Sequence, residues 1–473
     1  MNKNIFSLGI KNLSNGLKNK RFTSLDITKK YLESIKIKNR TLNAFINILE
    51  ESAIWDSQKS DKRRRDGKEL SLLDGIPIAL KDNININDVI TTGGIKAYRN
   101  EIAKSDSFIV KLLKDAGAII LGKLNMHEAA LGTTTQNEFY GNCNNPHYIG
   151  FTPGGSSGGA GSAVAAGLCV GAIGTDTLGS IRIPASFCGT VGFKPTFGRV
   201  SNRGIMPLCK MLDHTGPITR SVEDASLLFE VISKFDSEDP ECKIIEPYTH
   251  NNDLYIESLS GKNIGFIDNN NISGLDIDIQ LAYNQAILLL GSKGAKINEI
   301  DFDNYFNTEK LISQSMLIME SELYNFHREK IIENKNDFSN TFIKNVNFAK
   351  NQNAPKLLKA ITDIKNTRIS IRKLFKNFDA IVVPSTPTVA FSFQKKPPKN
   401  LASFTCLANF GGCPAISIPT DNTSGLNSPK GLPIGMQIIT APENDLLALQ
   451  IGWVLEKAVK WKPSNANNNF CRF

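Results

Sequence analysis

Two serine-bearing stretches carry the chemistry that can be read from the residues of this chain. The first stretch, Pro153-Gly154-Gly155-Ser156-Ser157-Gly158-Gly159, sets two serines among four glycines. The second, Gly174-Thr175-Asp176-Thr177-Leu178-Gly179-Ser180-Ile181-Arg182-Ile183-Pro184, follows the apolar run Cys169–Ile173. A glycine-rich linker is one reading of the first stretch, but linkers are not followed by small-residue helix and apolar strand patterns. A phosphate cradle is another, yet the Gly-Lys-Ser/Thr ending and the dinucleotide glycine spacing are both missing. A serine nucleophile site fits the residues better. A serine hydroxyl attacks a carbonyl only with a base and a place for the oxyanion. No histidine stands in either stretch to serve as that base. A neutral lysine can serve if burial lowers its pKa; Lys81 ends the apolar run Ile76–Leu80, where a lysine by itself reads as a snorkelling surface residue.

These residues must be positioned by an α/β scaffold. Gly154–Gly159 suits a turn with unusual backbone angles, Ala160–Gly167 a tightly packed buried helix, and Cys169–Ile173 a core strand. A polar cluster directly after a buried strand is where open α/β sheets keep their chemistry. Upstream, Thr23 to Lys38 reads as a capped amphipathic helix on Ile27, Tyr31 and Ile35. Leu42–Ile46 leads into a short strand or turn. Ile76–Leu80, the helix Ser105–Ala116 and the run Gly117–Lys123 form a strand–helix–strand unit, which implies a right-handed crossover and parallel pairing. Ser221 and Asp224 open a helix running to Phe235. Residues 236–260 read as a polar surface excursion, Asn263–Asp268 as a strand, and Leu275–Leu290 as a helix stopped at Gly291. Residues 301–375 have helical spacing and no motif. Phe378–Pro384 resumes the sheet. Phe404–Gly412 with Pro414–Pro419, and Gly431–Thr440, add strand-like units. Residues 421–430 read as a surface turn and Glu443–Lys460 as a closing helix.

The glycine–serine block, with Gly75-Ile76-Pro77…Lys81-Asp82, Gly174-Thr175-Asp176-Thr177, Gly179-Ser180-Ile181-Arg182 and Gly192-Phe193-Lys194-Pro195, resembles the amidase signature family. The resemblance is strongest over 73–225 and again over 379–457. It implies a large mixed, mostly parallel central β-sheet covered by helices on both faces. The expected organisation is a single domain over 1–473, with core signature 73–225, a variable helical region 236–375 and a C-terminal sheet part 376–473. It further implies a Ser–cis-Ser–Lys triad. Ser180 would attack the amide carbonyl, and Ser156, after a cis Gly155–Ser156 bond, would relay the proton to Lys81. Backbone N–H groups around Thr177, Leu178, Gly179 and Ser180 would bind the oxyanion. Gly132 and Thr133 belong to the substrate loop, and Asp176 and Arg182 would tether one another. Leu178 departs from the glycine many members carry there, which narrows the pocket. No metal or cofactor is implied, and Asn125-Met126-His127-Glu128 lacks a second histidine at ligand spacing.

Two kinds of member share this signature. One is a stand-alone hydrolase of a small carboxamide, with a homodimer compatible with it. The other is the A subunit of glutamyl-tRNA(Gln) amidotransferase, which draws ammonia from glutamine and works with tRNA and a B subunit. Two features of this sequence lean toward the hydrolase. No tyrosine stands in Ala360–Lys376, ahead of the strand at Asp379, and Asn444 occupies a place where an acidic residue would bind the glutamine amino group, although Asp445 adjoins it. A non-catalytic binding homologue is a third reading, against which the intact triad argues.

Composition sets the remaining bounds. At 473 residues, 41% hydrophobic and 21% charged, the chain can bury a large core. Its net charge of +9 is mostly scattered lysine. The one dense basic cluster, Lys59–Lys68 with Lys62-Arg63-Arg64-Arg65, reads as a solvated loop, with nucleic-acid contact the alternative. Eight cysteines include no Cys-x-x-Cys pair, which suits a reducing cytoplasm rather than a zinc site. No signal-peptide core or membrane-length apolar run is present.

Overall fold

The computed structural model describes residues 5–268, 274–300 and 308–463. The start of the 301–375 region, the C-terminal end of 376–473 and Cys471 therefore lie outside the described residues. Eleven strands are β1 (Phe45–Ile48), β2 (Pro77–Lys81), β3 (Ile119–Leu124), β4 (Gly171–Asp176), β5 (Val191–Lys194), β6 (His214–Thr219), β7 (Asn263–Phe266), β8 (Lys296–Glu299), β9 (Ala380–Pro384), β10 (Ala415–Asn422) and β11 (Pro433–Thr440). They join into one sheet in the order β1-β3-β2-β4-β6-β5-β10-β11-β9-β7-β8. The α/β class and the large mixed sheet flanked by helices are as expected. The expectation of a mostly parallel sheet is corrected. β2 pairs in parallel with β3 and β4, and β7 with β8 and β9, while the remaining six pairings are antiparallel. The reason lies in the connections. β10 and β11 are joined by a short loop, which only antiparallel neighbours allow, whereas parallel neighbours need a crossover.

The parallel core is what positions the site. β2 and β4 run side by side with Ala79 opposite Ala172 and Leu80 opposite Ile173. Both therefore deliver their C-terminal ends, Lys81 and Asp176, to one edge of the sheet, where ligands bind in open α/β folds. The turn Gly154–Ser157 and the helix Gly158–Ala165 lie against that edge, with every residue of the helix buried. Small side chains make this approach feasible. A Cβ at Gly155 would meet Thr134 N at 2.6 Å.

Two readings of the sequence are corrected by helices. The basic run is not a loop. It forms the last turn of a helix over Glu50–Arg65, whose buried face consists of Ala53, Ser57 and Ser60. That face carries no large apolar residues, so periodicity could not reveal it. Arg63 grips buried Asp74 at 2.6 and 3.0 Å, and Arg64 donates to the Asp74 carbonyl. Cys406–Gly411, read as strand-like, is a short buried helix; a brief apolar run is ambiguous between the two. Thr23 does form a capping box with Asp26 ahead of a helix over Ser24–Leu42. The 301–375 region contains helices Thr308–Asn334, Asn340–Lys350 and Ala354–Leu374. Among the described residues no helix is long and apolar enough to cross a membrane.

Candidate active site

Lys81 and Ser156 meet although they lie far apart in the chain. Lys81 Nζ donates to Ser156 Oγ at 2.7 Å and to Thr175 Oγ1 at 2.8 Å. Asn83 Nδ2 donates to the same Thr175 hydroxyl at 3.2 Å. Lys81 is fully buried. Burial pushes its ammonium down to about 7, against the nearby Asp213 and Asp176 carboxylates, which favour the charged form. A neutral amine near neutral pH is what a lysine base requires. The Gly155–Ser156 peptide bond is cis, and the Ser156 carbonyl accepts from His127 N–H at 3.1 Å.

Ser180 is brought to the same edge by the turn after β4. Its carbonyl accepts from Ser157 N–H at 3.2 Å. Its hydroxyl makes no hydrogen bond among the described residues and faces a cavity of about 160 Å³. Hydrogen bonds of catalytic groups are often long in a free enzyme and close only with substrate. Gly132, Thr133, Thr177 and Leu178 line this cavity with Ser180. Apolar side chains complete it, with Ile312, Met316 and Met319 from the helix over Thr308–Asn334 and Leu401 from the loop beyond.

Asp176 and Arg182 tether one another, as expected, and both are fully buried. Burial alone would raise the Asp176 carboxyl, but the Arg182 guanidinium overrides it and holds it well below the usual carboxylate range. The carboxylate also takes the N–H groups of Gly179 at 2.7 Å and Ile181 at 3.1 Å. This corrects the oxyanion assignment at Gly179, whose N–H already has an acceptor. The N–H groups of Thr177, Leu178 and Ser180 make no backbone hydrogen bond among the described residues. Gly179 has another role. Its φ of +130° disfavours any side chain, and a Cβ there would lie 2.3 Å from Thr405 Oγ1.

Several residues at the site escaped the sequence reading. Arg182 reaches Thr405 O, Gln437 Oε1 and Asn409 Oδ1 at 2.7–2.8 Å, and Asn409 returns to Asp176 at 2.9 Å. Asp213 accepts from Thr177 Oγ1 at 2.5 Å, and burial pushes its carboxyl up to about 6. Asn409, Gln437 and Thr405 are polar residues inside apolar runs, and that pattern was the available signal; Asp213, beside His214 and Thr215, lacks it. The neighbour of Asn444 is corrected too. Asp445 is buried against Thr196, accepting from its N–H and Oγ1 at 2.8 and 2.7 Å, and it does not line the cavity. His127 and Glu128 diverge. His127 Nδ1 is 3.4 Å from Thr134 Oγ1, whereas Glu128 accepts from Ser339. No cluster of three potential metal ligands occurs among the described residues.

A sequence model of the amidase family matches residues 26–449. This chain belongs to the amidase family. It is an amide-hydrolysing enzyme on a shared fold. Curated relatives include the A subunit of the glutamyl-tRNA(Gln) amidotransferase of Clostridium botulinum (strain Eklund 17B / Type B), 33% identical over 96% of this chain and 98% of that protein. The corresponding A subunit of Alkaliphilus metalliredigens (strain QYMF) is 34% identical over 96% of each. Among solved structures, a protein from a vestigial complex that bears on the origins of an s-triazine catabolic enzyme is 32% identical. It superposes with a TM-score of 0.87 over 95% of this amidase and 98% of that chain. The peptide amidase of Stenotrophomonas maltophilia is 26% identical with a TM-score of 0.85, covering 98% and 99% of the two chains.

Proposed function

We propose that this amidase cleaves its substrate through an acyl-enzyme on Ser180, with Ser156 as proton relay and Lys81 as base. The observation that carries the reading is the 2.7 Å contact from buried Lys81 to Ser156, beside the cavity that Ser180 faces. Ser180 Oγ attacks the amide carbonyl carbon. Its proton passes to Ser156 Oγ as the Ser156 proton passes to neutral Lys81 Nζ. The oxyanion takes N–H groups of the Leu178–Ser180 turn other than Gly179; one such donor is worth roughly 10²–10³ in rate. The carbon–nitrogen bond breaks, and Ser156 returns the proton to the departing nitrogen. Water then attacks the ester by the reverse relay and leaves the carboxylic acid. Mass spectrometry of the enzyme quenched during turnover tests this. An acyl adduct is expected on Ser180, and an adduct on another residue, or full activity of Ser180→Ala, would refute it.

For the substrate, the apolar wall supports a small carboxamide with an apolar acyl group. Among the described residues around that cavity Lys399 is the one ionisable side chain, and none of them is a carboxylate that could take an α-ammonium group. The curated relatives support the second reading, an amidotransferase A subunit that passes ammonia from glutamine to a B subunit, which in turn acts on charged tRNA. Turnover of glutamine and of apolar carboxamides by the isolated chain separates the two. The measurement is repeated with glutamyl-tRNA(Gln) and an amidotransferase B subunit. Hydrolysis of glutamine alone, strong only with partner and tRNA present, would establish the second reading.

A further inference from the structure

A second and larger cavity adjoins the first. It has a volume of about 560 Å³ and shares Leu131, Gly132 and Thr133 with the cavity that Ser180 faces. The two differ in chemistry. The smaller is walled by leucine, isoleucine and methionine, whereas the larger is walled chiefly by amides, hydroxyls and the carboxylates of Glu128 and Glu138. Among the described residues no lysine or arginine lines it. Glu128 is buried and held by Ser339. Glu138 stands at the exposed rim with no ion pair among the described residues, and the side chains of Thr133, Thr341 and Asn345 make no hydrogen bond there. Donors and acceptors without protein partners around a chamber are groups that a ligand can satisfy.

An amide has two sides, and the geometry orders them. The proton for the departing nitrogen comes from Ser156, whose carbonyl is held by His127 N–H at 3.1 Å. A Cβ on the adjoining Gly155 would lie within 3 Å of the Thr133–Thr135 backbone. His127, Thr133 and Thr134 all line the larger cavity. The backbone of the proposed proton donor thus backs onto the wall of that chamber through His127 and Thr134, which line it and not the smaller cavity, and the apolar cavity is left for the acyl group. We infer that the larger cavity receives the amine half of the substrate, and that this half is a polar, positively charged group rather than ammonia alone. The inference rests on the acyl-enzyme reading above and assigns its substrate class: an N-substituted amide joining an apolar acyl group to an amine that carries a second, cationic nitrogen. The carbon–nitrogen bond breaks at the shared wall, the acyl group stays on Ser180, and the protonated diamine leaves through the polar chamber.

The test uses two butanamides with the same acyl group, N-(4-aminobutyl)butanamide and its uncharged isostere N-pentylbutanamide. The wild-type protein is expected to prefer the cationic amide about tenfold in kcat/KM, chiefly through KM. Glu138→Gln should reduce that ratio to near one. Equal turnover of both amides by the wild type, or an unchanged ratio in Glu138→Gln, would overturn the inference and leave the Ser180 chemistry standing. Calorimetric titration with 1,4-diaminobutane gives a readout that needs no turnover. Binding to the wild type that weakens about tenfold in Glu138→Gln supports the chamber even if neither amide is cleaved, an outcome that would count against the acyl-enzyme reading instead. Absence of diamine binding to the wild type would overturn the inference.

Discussion

Arg182 and Asp176 form a fully buried two-point ion pair, with Nε 3.0 Å from Oδ2 and Nη2 2.8 Å from Oδ1. Through it the loop after β4 is fixed on both sides of Ser180, because the same carboxylate holds the N–H groups of Gly179 and Ile181. Removing one partner of a buried pair leaves the other uncompensated, at about 3–5 kcal/mol. Arg182→Leu is therefore expected to lose stability of that order in urea denaturation. Arg182→Lys should recover only part of it, since an ammonium cannot reproduce the planar fork. Wild-type stability of Arg182→Leu would refute the role.

The pH dependence of turnover follows from Lys81. A base held near 7 by burial must be neutral to accept a proton, so kcat/KM should climb with pH through about 7 and level off above it. Lys81→Ala should lower kcat by orders of magnitude while the protein stays folded. The stability effect has its own sign. The folded amine titrates below its unfolded value of 10.5, so charging it opposes folding fully below about pH 7 and ceases to do so as pH rises toward 10.5. Lys81→Met is accordingly expected to be more stable than wild type at pH 6, with the gap closing toward pH 10 in parallel urea titrations.

Asp213 offers a check on that assignment. Its charge favours the protonated form of Lys81. Asp213→Asn should move the rising limb of the pH profile to lower pH while keeping an acceptor for the Leu208 and Cys209 N–H groups, which Asp213 Oδ2 holds at 2.9 Å. A limb that stays in place would show that a group other than Lys81 sets it.

Leu178 lines the apolar cavity, and its carbonyl accepts from Thr405 Oγ1 at 2.6 Å. Leu178→Gly enlarges the cavity without removing a backbone donor. KM should fall for amides with bulky acyl groups and change much less for small ones. Equal effects on both would place the leucine side chain outside the acyl path.

The candidate serines stand out in the sequence because glycine-rich turns are conspicuous and local, whereas Lys81 is singled out by the family resemblance and not by its own position. The supports of these residues do not stand out. Gln437 from β11, Asn409 from the short helix before β10 and Thr405 just ahead of that helix reach Arg182 and its loop from more than two hundred residues away, and a polar residue in an apolar run does not tell which distant partner it will meet. β5 and β6 were missed for a related reason, and β8 is a four-residue strand at the edge of the sheet, too short to show a period. His214–Thr219 and Val191–Lys194 each contain glycine or proline and gain their strand geometry from neighbours on either side. Tertiary pairing overrides local preference there. The helix over Glu50–Arg65 shows the converse, where a charged surface concealed a buried face of alanine and serine.

The helix over Thr308–Asn334 supplies Ile312, Met316 and Met319 to the acyl wall but no residue to the hydrogen-bonded network of Lys81, Ser156, Asp176 and Arg182. Leu178 apart, much of the proposed acyl wall is thus written on a stretch of chain separate from the proposed reactive residues. Met316 and Met319 have unbranched, readily repacked side chains, so changes along one face of this helix can reshape what is accepted while the bond-breaking apparatus stays intact. A lineage could in this way exchange one amide for another by drift within a single helix, and a designer seeking new acyl preferences would begin at Ile312 rather than at the serines.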